Sequence, residues 1–250
     1  MNLLQHINKK RLTGHKSLAV LIDPDTTSTQ EVARLVSLAQ DAHVDFFFVG
    51  GSRVKPADMD MVLSLLQDLT DIPTIIFPGS TSQLSEKADA LLYLSLISGR
   101  NPDLLIGKHV ESAAYLRQSN LEILPTGYLL IDGGNVTSVS YISNTTPIPH
   151  DKIDIALSTA LAGQYLGLKL IYLEGGSGAH HHVSPEMTAA VSEALDIPLI
   201  VGGGIRTPEA AKQIAEAGAD IVVIGNILEK DPELLVDLST AIHAVKTKIL

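Results

Sequence analysis

No cysteine occurs among the 250 residues, which excludes a disulfide framework, a thiolate metal site and a thiol nucleophile together. A reducing compartment fits that absence. Positive charge is scarce as well: 18 Lys and Arg stand against 28 Asp and Glu, a formal charge of −10. Such a balance repels phosphate backbones and anionic membrane surfaces, so nucleic acid is not an expected partner. An anionic small substrate then has to be held by local devices: backbone N–H groups, helix N-termini or a metal ion. Long apolar runs are missing too. No stretch reaches the roughly 20 residues needed to span a bilayer, and the opening "MNLLQHINKKRLTGHK" lacks the continuous apolar core of a secretory signal. The expectation is a soluble, cytoplasmic protein with no membrane span.

What is present is a regular alternation. Eight short aliphatic runs, "SLAVLID", "VDFFFVGG", "PTIIFPG", "ALLYLSL", "LEILPTGYLLID", "LKLIYLEGG", "PLIVGGG" and "DIVVIGN", are spaced along the chain. Between them lie amphipathic segments such as "TSTQEVARLVSLAQDA", "PADMDMVLSLLQDL", "SPEMTAAVSEALD", "TPEAAKQIAEAG" and "DPELLVDLSTAIHAVKTKIL". Near-continuous apolarity is what a parallel strand buried on both faces requires, whereas a half-exposed antiparallel strand alternates. Thr207 reads as an N-cap, Pro208 as the first residue of its helix and Gly218 as the residue just past its end. The repeated order predicts an α/β fold, a (β/α)₈ barrel of parallel strands forming one domain over residues 1–250, with an open doubly wound sheet as the alternative. Residues 95–150 break the pattern with Gly, Pro and Asn clusters, so extra loop or strand elements are expected to shape one side of the site.

Chemistry in such barrels sits at the C-terminal ends of the strands. Those ends are Asp23, Gly50 to Ser52, Pro78 to Ser80, Glu174 to Gly178, Gly202 to Gly204, and Gly225 with Asn226. The glycines after the seventh and eighth strands fall where barrels commonly bind a phosphate, although glycine also serves plain tight turns. Asp23 has three readings: an Mg²⁺ ligand, a base, or a cap for the following helix, with Asp25 the better capping candidate. Ser52 is either an oxygen ligand or an N-cap for the segment near Pro56. His180, His181 and His182 are consecutive, cannot all converge on one ion, and read as a solvated loop. His6, His15, His43, His109 and His150 are scattered and receive no role.

Taken in order, "LIDPD", "VGGS", "FPGS", "YLEGGSGA", "GGGIR" and "GN" resemble the strand ends of the geranylgeranylglyceryl phosphate synthase family, which also includes bacterial heptaprenylglyceryl phosphate synthases. The likeness spans essentially the whole chain. The ordered set is specific, while "GGGIR" or "IGN" alone occurs in many phosphate-binding barrels. The resemblance implies a modified (β/α)₈ barrel that joins the sn-3 hydroxyl of sn-glycerol 1-phosphate to C1 of a long prenyl diphosphate with Mg²⁺ and releases diphosphate. Geranylgeranyl diphosphate is the expected donor, with a heptaprenyl donor or another phosphate-binding barrel enzyme as alternatives. A non-catalytic phosphometabolite binder is a further class.

The same resemblance implies a metal site at Asp23 and Ser52 and a general base at Glu174. It places the glycerol phosphate among Tyr172, Leu173, Glu174, Gly175, Gly176, Ser177, Gly178, Gly203, Gly204, Gly225 and Asn226, and implies a homodimer or hexamer. Two departures stand out. Gly175 replaces the family's common alanine, and Leu21 stands where one branch carries a lysine, which points to the other, larger branch and leaves the phosphate without that cation. Attack by a hydroxyl on an allylic carbon needs a carboxylate to take the proton, worth about 10²–10⁴-fold, and a cation to neutralise the departing diphosphate. The prenyl tail needs an apolar trench, for which "ADALLYLSLISG" and "LPTGYLLIDGG" are the candidate walls.

Overall fold

A computed structural model describes residues 2–51 and 54–246. Each of the aliphatic runs is a strand: β1 Ser17–Ile22, β2 Phe46–Val49, β3 Thr74–Ile76, β4 Ala90–Leu96, β5 Glu122–Leu130, β6 Leu170–Glu174, β7 Leu199–Gly202 and β8 Ile221–Ile224. All pair in parallel in chain order, and β8 returns to β1 to close the barrel. Successive side chains on a strand face opposite sides. One set, with Ala19, Phe46, Phe48, Leu92, Tyr172 and Ile200, fills the barrel interior. The other, with Val20, Phe47, Leu129, Leu173, Val201 and Val222, packs beneath the surrounding helices. Both sets are buried, and that is why the runs show no polar alternation.

The helices are α1 Leu3–Leu12, α2 Thr29–Asp41, α3 Pro56–Leu69, α4 Lys108–Leu116, α5 Ser138–Ser143, α6 Ile153–Tyr165, α7 Pro185–Ala194, α8 Pro208–Glu216, α9 Ile227–Lys230 and α10 Leu234–His243. Helix α1 closes the N-terminal end of the barrel: Ile7 is buried, Leu3 and Leu4 pack against the interior, and the Glu122 carboxylate accepts from the Leu3 and Leu4 N–H groups at 2.6 and 2.9 Å. Ser28 and Glu31 form a capping box on α2, so neither Asp23 nor Asp25 caps that helix, contrary to the capping reading. Thr207 caps α8 through the Ala210 N–H and Pro208 opens it, as the sequence indicates. The last predicted helix appears as α10, and an unpredicted single turn, α9, precedes it; the two are separated because Pro232 forces Asp231 out of helical geometry, to φ −139° and ψ 82°.

The barrel departs from regularity on one side. Between β3 and β4 the chain makes only a 3₁₀ turn, Thr81–Gln83, where a regular barrel has a helix. After β4, a π-helical turn at Asp103–Gly107 runs directly into α4. Beyond β5, Ile131 bridges Ile148 in parallel before α6. The expected extra elements in 95–150 are thus a π turn, a short helix and an isolated bridge.

Candidate active site

A cavity of about 870 Å³ opens at the C-terminal ends of the strands. Asp23, Tyr172, Glu174, Ser177, Gly178, Gly203, Gly204, Gly225 and Asn226 all line it, from the ends of the neighbouring strands β6, β7, β8 and β1. Leu173 does not, because strand parity turns its side chain outward beneath the helices. Gly175 and Gly176 stand behind the lining: the Gly175 N–H donates to Gly202 O at 2.9 Å and the Gly176 N–H to Glu174 Oε1 at 2.6 Å. Ser52 lies outside the described residues.

Glu174 closes β6 with its side chain on the interior face and is buried. Burial pushes its carboxyl up from 4.5 to about 6, against the opposing Gly176 N–H and Tyr172 hydroxyl, both of which favour the carboxylate. No cation among the described residues contributes to that balance. A carboxylate in this state holds a proton strongly enough to be a useful acceptor and still ionises near neutrality.

The glycines that follow are dictated by the closeness of their neighbours. Gly203 has φ +84°, and a Cβ there would overlap Glu174 Oε1. A Cβ at Gly202 would lie 2.5 Å from the Tyr172 hydroxyl. Side chains at these positions would therefore displace the acid and its partner. Ser177 spans the mouth, donating from Oγ to Asn226 Oδ1 at 3.0 Å, and Asn226 begins the first turn of α9.

Asp23 lies at the end of β1, half-buried. Its Oδ1 accepts from the Asp25 N–H at 3.0 Å, and a Cβ at Gly51 would come within 2.6 Å of Oδ2. Burial raises its carboxyl, against the Asp25 N–H, while the Asp25 charge raises it further. Glu229, also on the cavity, is raised mainly by burial, with the Asp23 charge contributing. Among the described residues, no three His, Asp or Glu side chains gather around one point. His180 and His181 are exposed, their N–H groups both donating to Gly133 O.

Several cavity residues carry no role in the sequence reading. Arg206 follows "GGGI" directly, and its guanidinium donates to Ala179 O and His180 O, tying the loop after β6 to the one after β7. Its place beside the glycines was the available signal. Lys55, Lys108 and Lys230 also reach the cavity from separate elements, without a motif to mark them. The cavity then continues into an apolar arm formed by Leu84, Leu91, Tyr93, Leu94, Leu96 and Leu104. Leu91 and Tyr93 belong to the outer face of β4, and the arm reaches them where the β3–β4 helix is missing. "ADALLYLSLISG" supplies four of the arm residues, Leu91, Tyr93, Leu94 and Leu96, whereas "LPTGYLLIDGG" supplies only Tyr128.

Residues 8–246 match the PcrB family. A geranylgeranylglyceryl phosphate synthase from Chitinophaga pinensis is 51% identical over 235 residues, 94% of this chain and 93% of its own. The enzyme of that name from Thermococcus gammatolerans is 41% identical over 222 residues, covering 88% and 87%. The crystal structure of (S)-3-O-geranylgeranylglyceryl phosphate synthase from Thermoplasma acidophilum, in complex with substrate sn-glycerol-1-phosphate, has a TM-score of 0.93 at 40% identity over 98% of this chain and 100% of that one. Tryptophan synthase from Mycobacterium tuberculosis, with a TM-score of 0.62 at 15% identity, shares the fold alone.

Proposed function

The chain belongs to the PcrB family, and from that premise we infer its reaction: it joins the sn-3 hydroxyl of sn-glycerol 1-phosphate to C1 of geranylgeranyl diphosphate, giving geranylgeranylglyceryl phosphate and diphosphate. Names shared by relatives over most of the chain support the reaction. The observation that carries it is a single cavity with a buried carboxylate, beside no cation among the described residues, at a glycine-lined polar mouth and an apolar arm leading away. A small anionic acceptor and a long apolar donor are the two substrates that such a cavity suits.

In this reading the phosphate lies against Gly203, Gly204, Gly225 and Asn226, where Gly203 and Gly204, both at positive φ, and the turn from Gly225 into α9 offer backbone N–H groups. Tyr172, Leu173, Gly175 and Gly176 form the frame behind Glu174, and Ser177 and Gly178 border the acceptor. Glu174 takes the proton of the attacking hydroxyl as the new C–O bond forms. Lys55, Lys108, Lys230 and Arg206 add positive charge around the cavity in a protein otherwise acidic.

Mg²⁺ fits the residues present. Asp23 is a half-buried carboxylate raised by burial and by a like charge, the condition that a cation relieves. With no three-residue ligand set among the described residues, the fit is to an ion that takes one or two carboxylates and completes its shell with water and substrate phosphate. Asp23 would hold it, together with Ser52 in our reading. When bound, the ion neutralises charge on the departing diphosphate. No helix among the described residues is long and apolar enough to cross a membrane, and a cytoplasmic enzyme is our reading. Homodimeric or hexameric assembly belongs to it too, with exposed Val136, Tyr141, Tyr165 and Leu166 as apolar surface for contacts.

The test is product formation by purified protein, given radiolabelled sn-glycerol 1-phosphate or sn-glycerol 3-phosphate with prenyl diphosphates of increasing length, with and without Mg²⁺. Product from the 1-phosphate and geranylgeranyl diphosphate only with Mg²⁺ is the expected result. Equal rates with both enantiomers would overturn the assignment, and a maximum at the heptaprenyl donor would replace the donor.

A further inference from the structure

Three aromatic rings gather at the floor of the cavity, and two of them, Phe77 and Tyr128, have no role in the acceptor and metal assignments. Phe77 follows β3, Tyr128 stands on β5 and Tyr172 on β6, with the two tyrosines paired in register. The Phe77 and Tyr172 rings are near-parallel with centroids 5.5 Å apart, Phe77 and Tyr128 lie at 5.9 Å, and Tyr128 meets Tyr172 edge-on at 5.4 Å. All three line the cavity.

Their neighbours define where they stand. The Tyr172 hydroxyl bonds Glu174, which sets the cluster beside the base. The Phe77 carbonyl lies so close to Gly50 that no Cβ fits there, and the next residue, Gly51, is the one against which Asp23 packs. In the other direction the same packed cluster continues into Leu94, Leu96, Leu104 and Val139, all on the cavity. The rings therefore occupy the junction of polar mouth and apolar arm. A donor with its diphosphate near Asp23 and its tail in the arm lays its allylic carbons over them.

We propose that Phe77 and Tyr128 are catalytic residues whose ring faces stabilise the positive charge developing on C1 and C3 of the allylic donor. This rests on the reaction given above. In that step the C1–O bond breaks and its electron pair leaves with diphosphate, a lone pair of the acceptor oxygen forms the new C1–O bond, and the hydroxyl proton passes to Glu174. Positive charge on carbon exists only between these events, so groups that bind a cation through a ring face stabilise the transition state more than the neutral allyl group of the substrate. Burial, with the Glu174 charge adding, keeps both phenols protonated, so a phenolate does not supply the compensating charge. Phe77 is half-buried on the cavity and Tyr128 leaves only a small part of its surface open there, and attraction between a cation and a ring is strongest where little water reaches it.

The experiment installs mono-, di- and trifluorinated phenylalanine at position 77, which keeps the ring's shape while draining electron density from its face. Single-turnover rates with geranylgeranyl diphosphate are expected to fall stepwise, about tenfold across the series, with unchanged KM for glycerol phosphate and unchanged melting temperature. Tyr128→Leu is expected to lose about tenfold, and Tyr128→Phe, which restores a face without the hydroxyl, to recover most of it. A rate independent of fluorine content overturns the proposal, as does a loss confined to KM, because either would reduce the rings to packing. Failure of the unsubstituted protein to form product would overturn the reaction itself and is seen before any variant is made.

Discussion

The two ends of the barrel treat their carboxylates in opposite ways. At the N-terminal end the acids beside the strand starts have donors. Asp45 accepts from the Leu18 N–H at 2.8 Å and His243 Nε2 at 2.9 Å and pairs with Lys10. Asp220 accepts from the Leu199 N–H at 2.9 Å beside Arg11 and Lys16, and Asp89 from the Thr74 N–H at 2.8 Å. At the C-terminal end Glu174 and Asp23 are held by backbone N–H groups and a phenol, with no cation pairing among the described residues. The first arrangement fastens strands and α1 together. The second keeps charge poorly compensated until a ligand arrives, so stability and chemistry occupy separate ends of one sheet.

The strongest test of that contrast is Glu174→Gln. Turnover is expected to fall by about 10²–10⁴-fold, since the amide keeps the shape but cannot take the proton. Stability should move the other way. The folded pKa of about 6 exceeds the usual 4.5, so between those values the native state binds more protons than the unfolded one and stability falls as pH rises through the window. Above it the ionised acid costs up to about 2 kcal/mol, which Gln removes. Melting scans should show the variant more stable at pH 7.5 and equal to the parent at pH 4; lower stability at pH 7.5 would break the contrast.

Gly203→Ala follows. With φ +84° and the overlap with Glu174 Oε1, alanine should cost about 3 kcal/mol and displace the acid, lowering kcat by about two orders of magnitude. A crystal structure with Glu174 unmoved would remove the explanation for its glycine.

At the other end Asp45→Asn should leave kcat unchanged and destabilise by about 2–3 kcal/mol in denaturant titration. Burial alone would raise the Asp45 carboxyl, but His243, Lys10 and the Leu18 N–H outweigh it, so the pKa is lowered. That stabilisation is present above the unfolded carboxylate value and is lost as pH falls through the folded one, so the two forms should converge in acid.

Strand positions and their chemical ends were legible because burial on both faces writes itself as unbroken apolarity, and because barrel chemistry gathers where strands stop. Asp23, Glu174, Gly203, Gly204 and Gly225 all reach one cavity for that reason. What was hidden depends on contacts distant in sequence. Gly176 spends its N–H on Glu174, and Phe77, Tyr128 and Tyr172 meet only once the barrel closes. The missing β3–β4 helix was equally hidden, since "FPGSTSQLSEKAD" has the length for a short helix and simply does not form one. Helix α1 has no marked apolar stripe of its own and is held by Glu122, far along the chain.

The smallest expected effect sharpens the contrast by moving a cation to the poorly compensated end. Leu21 lines the cavity two residues before Asp23, and a Cβ at Gly225 would stand 3.5 Å from its own Cβ, so position 21 borders the site read as the phosphate cradle. In Leu21→Lys an ammonium reaches that cradle on a flexible stem. A charge-assisted contact at a partly solvated site contributes about 1 kcal/mol, so KM for sn-glycerol 1-phosphate should fall about threefold to fivefold. The kcat should change little, because the phosphate carries the same charge in ground and transition states and the added binding is uniform. Screening provides the control: the gain should shrink between low salt and 0.5 M salt, where the Debye length drops to about 4 Å. A gain indifferent to salt, or a KM change for the prenyl diphosphate instead, would place the acceptor phosphate elsewhere and leave Gly225 as a turn residue.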